Sequence, residues 1–178
     1  MEIETKVLNV NISEVKNKLK SLGAKELQNT RLTVDWFCLK GAEKNGHPWY
    51  LRVRSYQNGK AEVTWKSLEK FVGNTRQSDE INISVSDFEK TKEILRTIGL
   101  EHYAHQEKDR ISLQFKDWIF ELDQYPGMPI YLEIEGKSEE HVREAIKMLN
   151  LEKYESTSEG EVKLIREKYK LNWNDMRF

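Results

Sequence analysis

An α+β fold is what the 178-residue sequence predicts: an eight-stranded antiparallel β-barrel with a charged lumen and helices packed outside. Three observations lead to it. Charged residues recur at every second position in nearly every strand-like segment, with apolar residues between them. The helix-like segments carry apolar stripes that need a greasy surface to lie on. About eight strands are enough for a sheet to close on itself.

Length and composition set the bounds. A chain of 178 residues suits one domain spanning 1–178. Charged residues make up 33%, against roughly 25% in an average globular domain, and that excess needs a place to sit. Net charge is −1 and the pI about 6.5, so no overall basic field invites nucleic acid or a membrane surface. Cys38 is the only cysteine, which excludes an internal disulfide and a cysteine-based zinc site. The N-terminus lacks an apolar signal core and no run of 18 apolar residues occurs, so a soluble cytoplasmic protein is expected.

Strands are predicted over 2–10, 26–38, 49–57, 60–68, 79–86, 104–116, 118–125 and 130–136. Turn residues bound them, among them Asn58-Gly59, Lys116-Asp117 and Pro126-Gly127-Met128-Pro129. Asn-Gly reaches the positive φ angles of a tight hairpin with little strain. Four helices are predicted. Ser13 caps one carrying Val15, Leu19 and Leu22 that stops at Gly23. Ser86 or Asp87 opens one carrying Phe88, Ile94, Leu95 and Ile98 that stops at Gly99. A third after Ser138 presents Val142, Ala145, Ile146 and Leu149, and a fourth over 159–170 carries Val162, Ile165 and Tyr169. Similar stretches end the first two helices, at Leu19–Gly23 and Leu95–Gly99, a weak sign of two related β-α-β halves.

The charge pattern is the informative feature. Side chains alternate across a strand, so Glu2, Glu4 and Lys6 share one face, as do Arg52 with Arg54, and Glu62, Thr64 and Lys66. Lys108 goes with Arg110, Glu121 with Asp123, and Glu133 with Glu135. An ordinary antiparallel sheet with its polar face in water explains any one strand. For the whole chain, helices must cover the apolar face, which turns the ionic faces inward. A lumen lined by many ions must be wet or filled by a charged ligand. Its bases are Lys6, Arg52, Arg54, Lys66, Lys108 and Arg110, with Arg31 and Arg76 as additions. Its acids are Glu2, Glu4, Glu62, Glu80, Glu121, Asp123, Glu133 and Glu135. Guanidinium and ammonium groups clamp phosphate oxygens. Clustered carboxylates suit hard Mg²⁺ or Mn²⁺ better than zinc. Together they describe a metal–polyphosphate site.

These residues also carry a family resemblance. Glu2-Ile3-Glu4-Thr5-Lys6 resembles the Glu-x-Glu-x-Lys signature of CYTH domains, the triphosphate tunnel metalloenzymes. The likeness continues in order through Leu51–Arg54, Glu62–Lys66, Lys108–Arg110, Glu121–Asp123 and Leu132–Glu135. It implies a tunnel in which Glu2, Glu4, Glu133 and Glu135, joined by Asp123, ligate the metal. Lys6, Arg52, Arg54, Lys66, Lys108 and Arg110 would bind the triphosphate. One departure stands at Asn82, where many members carry the second acid of a Glu-x-Glu pair beginning here at Glu80.

The expected activity is metal-dependent hydrolysis of inorganic, nucleoside or thiamine triphosphate. The catalytic residues are then Glu4 through the metal, Glu80 on the attacking water and Lys66 on the leaving phosphate. The alternatives are a class IV adenylyl cyclase making cyclic AMP and pyrophosphate from ATP, and a polyphosphate-binding module without turnover. A base pocket for the cyclase falls to the loops 39–49 and 67–78. The chain is expected to act as a monomer or homodimer. His102 and His105, three residues apart, read as surface or structural residues rather than metal ligands. Trp36, Trp49, Trp65, Trp118 and Trp173 read as packing residues, with Trp49 nearest the expected mouth. Arg166 and Lys168 are candidate phosphate contacts if the C-terminal segment folds back over that mouth.

Overall fold

The computed structural model describes residues 2–42 and 46–178. Its main strands are β1 (Glu2–Val7), β2 (Lys25–Leu39), β3 (Tyr50–Tyr56), β4 (Ala61–Lys66), β7 (Glu80–Val85), β8 (Leu100–Phe115), β9 (Trp118–Gln124) and β10 (Tyr131–Gly136). Short strands β5 (Lys70–Val72), β6 (Thr75–Ser78), β11 (Ser156–Thr157) and β12 (Asp175–Met176) complete a 12-stranded sheet. Its hydrogen-bonded path runs β5-β6-β1-β10-β9-β8-β2-β3-β4-β7, with β11 on β1 and β12 on β8. Every ladder is antiparallel except the last.

The α+β class therefore holds, but the sheet differs from the eight-stranded closed barrel read from the sequence. The path has two ends, at β5 and β7, and no ladder joins them among the described residues. The physical reason lies in residues 75–85, expected as one strand from 79. Here β6 pairs with β1, and after the single residue Asp79 the chain continues as β7 and pairs with β4. The hairpin β5–β6 was itself read as loop. Its two-residue turn is Gly73-Asn74 between Val72 and Thr75, and Gly73 holds a φ of 55°, which glycine adopts at low strain.

Helix α1 (Ile12–Ser21) starts one residue before the predicted cap, because the Asn11 side chain accepts the Glu14 N–H. Asp87 caps α2 (Phe88–Thr97) and Ser138 caps α3 (Glu139–Met148) in the same way. The predicted fourth helix is only a turn, α4 (Glu161–Lys163), that widens into a π turn over Leu164–Lys168. Leu164 and Ile165 are both fully buried there. No helix of the described residues is long and apolar enough to cross a membrane.

Two apolar clusters hold the sheet from opposite faces. Outside, α1 and α3 place Val15, Leu19, Val142 and Ala145 on Ile3, Val7, Phe120, Leu132 and Ile134, which are the residues alternating with the charges. The second cluster joins Leu32, Val34 and Trp36 of β2 to Tyr125, Tyr131 and the C-terminal Leu164, Ile165, Trp173 and Met176. Thus β2 breaks the ionic pattern and turns apolar side chains toward the cavity, while Asp35 faces the other way beneath α2.

Asp35 is 1% exposed and gathers three bases: Lys92 Nζ at 2.6 Å, His105 Nδ1 at 2.7 Å and His102 Nε2 at 3.0 Å. The two histidines, read from the sequence as surface or structural residues, both meet the Asp35 carboxylate. Burial alone would raise the Asp35 pKa, but the bonds from Lys92 and both histidines bring it below the ordinary 3.8. A depressed carboxylate stabilises the fold above its unfolded pKa, and that contribution is lost as pH falls through the folded value. Thermal melting from neutral pH down to about pH 3 is therefore expected to show a shallower acid limb for Asp35→Asn than for the parent. An unchanged limb would mean that the cluster does not act on stability.

Candidate active site

A cavity of about 760 Å³ lies on the concave side of the sheet, and ionic side chains from seven strands reach it. Period-two spacing delivers them: Glu4 from β1, Arg52 and Arg54 from β3, Lys66 from β4, Glu80 from β7, Lys108 and Arg110 from β8, Glu121 from β9, and Glu133 and Glu135 from β10. Ladder register puts Glu4 opposite Glu135 and Lys6 opposite Glu133. Lys6 is 1% exposed and sits behind the wall, its Nζ 2.8 Å from Glu133 and 3.8 Å from Glu4. The side chains of Glu2 and Arg76, both expected in the lumen, lie outside the described residues.

Several bases are already matched to acids. Lys66 pairs with Glu80 at 2.5 Å, and Arg54 with Glu62. Asn82 donates to Glu80 and accepts from Thr64 Oγ1 at 2.6 Å, so the departure at this position helps to orient Glu80. Burial would raise the Glu80 carboxyl, but Lys66, Arg52 and the Asn82 amide bring it down to about 2. Glu80 thus holds the Lys66 ammonium in place on the cavity wall.

Asp123 is 0% exposed and lies below the cavity surface. Its oxygens accept Lys108 Nζ at 2.8 Å and Arg110 Nε at 2.6 Å, with a second Arg110 nitrogen also bound. Arg110 also pairs with Glu121. Arg31, the other proposed addition, stays outside, bound to Asp109 at 2.7 Å.

Glu161 has no counterpart in the sequence reading. It enters from the first turn of α4 and accepts Lys108 Nζ at 3.0 Å, Tyr131 OH at 2.9 Å and Tyr125 OH at 2.7 Å. Burial, then the Glu161 charge, pushes both tyrosines well above their ordinary value and keeps them protonated as donors. An acid in a first helical turn looks like a dipole partner, so nothing local marked it. Arg166 does line the cavity, whereas Lys168 points to Glu155 at 2.5 Å. Trp36 and Trp173 line it too and Trp49 does not.

Arg52 stands apart. Its Nε is buried with no hydrogen-bond partner among the described residues. Burial and repulsion from Arg54 lower its pKa more than Glu80 and Glu161 raise it. A guanidinium in this state calls for an anion.

Residues 1–169 match the model of the CYTH domain. The chain belongs to the CYTH domain family. Among solved structures, the PH1012 protein of Pyrococcus horikoshii is 26% identical, over 87% of this chain and 94% of that one, with a TM-score of 0.71. A Vibrio parahaemolyticus protein named as a candidate adenylate cyclase is 15% identical, over 86% and 92%, with a TM-score of 0.73. A Hippeastrum protein named for adenylyl cyclase, and described as revealing a dominant triphosphatase activity, is 19% identical over 94% and 96%, with a TM-score of 0.70. Among curated proteins, none matches the chain.

As a CYTH protein the chain is expected to work with a divalent metal, and its donors can be tested for fit. Glu4, Glu133 and Glu135 offer only hard carboxylate oxygens from neighbouring strands, the right chemistry for Mg²⁺ or Mn²⁺. Among the described residues no three acids or histidines converge to ligating distance, and Lys6 stands between Glu4 and Glu133.

Proposed function

We propose that this chain hydrolyses a triphosphate bound in the charged cavity, with Mg²⁺ or Mn²⁺. The observation that carries the reading is the Arg52 guanidinium, whose buried Nε has no hydrogen-bond partner among the described residues, on a cavity wall shared with Arg54, Lys66, Arg110 and several carboxylates. The triphosphatase activity described for the Hippeastrum protein supports it. Segment 75–85, paired with β1 before Asp79 and with β4 after it, carries the chain from one half of the sheet to the other and supports reading the cavity as enclosed by both.

Glu4, Glu133 and Glu135 would hold the metal, with Glu2 as the remaining acid of the first strand. A divalent metal held there would supply charge neutralisation and Lewis-acid chemistry to the phosphates. Arg52 and Arg54 grip phosphate oxygens in a fixed fork geometry. Lys66, oriented by Glu80, neutralises the oxygen on which the leaving phosphate develops charge. Asp123 and Glu161 hold Lys108, and Asp123 holds Arg110, so these cations are preorganised around the chain.

Product analysis tests this. Purified protein is given inorganic triphosphate, thiamine triphosphate and ATP, each with Mg²⁺ or Mn²⁺. Phosphate or pyrophosphate release without cyclic AMP supports hydrolysis. Cyclic AMP from ATP overturns it in favour of the cyclase, and metal-independent binding without turnover favours the binding module. Chelation is expected to stop turnover, and Glu4→Gln to lower it by about 100-fold or more with the melting temperature preserved. Full activity in that variant would remove Glu4 from the metal.

A further inference from the structure

The two ends of the sheet are protected unequally. At one end β5 is three residues long and begins with Lys70. Short length and an edge lysine both keep a strand from pairing with another chain. At the other end β7 runs for six residues, Glu80-Ile81-Asn82-Ile83-Ser84-Val85, in unbroken register with β4. It carries no lysine, proline or bulge. Its outer edge offers backbone N–H and C=O groups that have no ladder partner among the described residues.

The outer face of β7 is apolar as well. Glu80 lines the cavity and Asn82 bonds to Glu80 and Thr64, so by alternation Ile81 and Ile83 point away from it. They are 58% and 60% exposed. Beside them on β4, Val63 and Trp65 are only half-buried. The corresponding face of β1, β9 and β10 is covered by α1 and α3. Helix α2 lies over β3 and β8 and leaves these isoleucines bare. A single exposed apolar residue needs no explanation, but an apolar strand face joined to an open backbone edge is the arrangement that takes up another strand.

We propose that β7 pairs with β7 of a second copy of this chain, antiparallel about a two-fold axis, to form a homodimer. The strand is complementary to itself. In a pairing centred on Asn82, Ile81 of each copy lies opposite Ile83 of the other, Asn82 meets Asn82, and Glu80 meets Ser84. Apolar side chains then meet on the outer face, and the one charged residue of the strand meets a neutral one, so no like charges are opposed. A two-fold interface uses the same patch on both copies, which is what a strand with the same alternation in both directions supplies. The contact is small, so the dimer exchanges with monomer in the micromolar range. It borders the cavity wall on which Glu80 holds Lys66.

Sedimentation velocity of the full chain, from nanomolar to high-micromolar concentration, tests the pairing. A monomer–dimer equilibrium is expected. Ile83→Lys places one ammonium on each side of the two-fold and is expected to weaken association by about 100-fold, tenfold for each lysine. Its melting temperature at nanomolar concentration is expected to match the parent's, because the position is exposed. A chain that stays monomeric throughout overturns the proposal, including the case in which the edge serves a different protein. A dimer that folded Ile83→Lys leaves intact joins through another face and overturns it too. If the variant does not fold, hydrogen exchange of the parent decides. Protection of the 80–84 amides that rises with concentration supports the pairing, and protection independent of concentration overturns it. Triphosphate turnover enters none of these readouts, so the dimer and the hydrolysis stand or fall separately.

Discussion

Arg52→Met is expected to lower kcat/KM toward triphosphate by about 10²–10³-fold, the effect of removing one preorganised donor from a transition-state site, while the protein stays at least as stable as the parent. The two halves of that result come from one geometry. The Arg52 Nε is buried and unmatched among the described residues, and burial with Arg54 repulsion lowers its pKa despite Glu80 and Glu161. A base whose pKa folding lowers is held at the expense of stability, and such sites trade stability for function. Methionine keeps much of the apolar stem that packs near Trp36 and removes the charge. Steady-state kinetics and melting without ligand check both halves. A protein that melts several degrees lower yet retains turnover would make Arg52 a structural residue. Arg52→Lys is expected to recover little activity, because an ammonium does not reproduce the planar fork.

Much of this site was legible because strand alternation is a local rule with long-range consequences. Glu4, Arg52, Arg54, Lys66, Glu80, Lys108, Arg110, Glu121, Glu133 and Glu135 share a cavity because each keeps its parity within its own strand, whatever the register between strands. What escaped depends on which strands and loops meet. Leu32, Val34 and Trp36 alternate just as regularly with Thr33 and Asp35, but their apolar side turns to the cavity because the C-terminal segment fills that half of it. Asp35 then faces α2, where Lys92 and two histidines meet it from distant parts of the chain. Glu161 presents the same difficulty. Its partners Lys108, Tyr125 and Tyr131 come from β8 and from the two sides of the Tyr125–Tyr131 turn, and only the fold-back of 158–173 unites them. The change of partner at Asp79 was hidden because a strand that leaves β1 for β4 looks, residue by residue, like a loop followed by a strand.

Asp123 tells these two kinds of residue apart. The family resemblance sets it among the metal ligands, and in the structure its oxygens accept from Lys108 and Arg110. Asp123→Ala leaves two cations facing each other at a buried position, with Glu161 still on Lys108 and Glu121 on Arg110. Removing one partner from such a pair destabilises by about 3–5 kcal/mol, which for a chain of this size lowers the melting temperature by about 10 °C. Added triphosphate is expected to return part of that loss, since bound anion supplies the missing counter-charge and ligand binding to the folded state alone stabilises by roughly 2.7 kcal/mol at one hundred times Kd. Melting of parent and variant, with and without triphosphate and with metal withheld, makes the comparison. A variant that melts like the parent and loses only metal affinity would put Asp123 back among the metal ligands. A large drop that triphosphate partly reverses without metal fits the counter-charge role, because the cations then answer to phosphate directly.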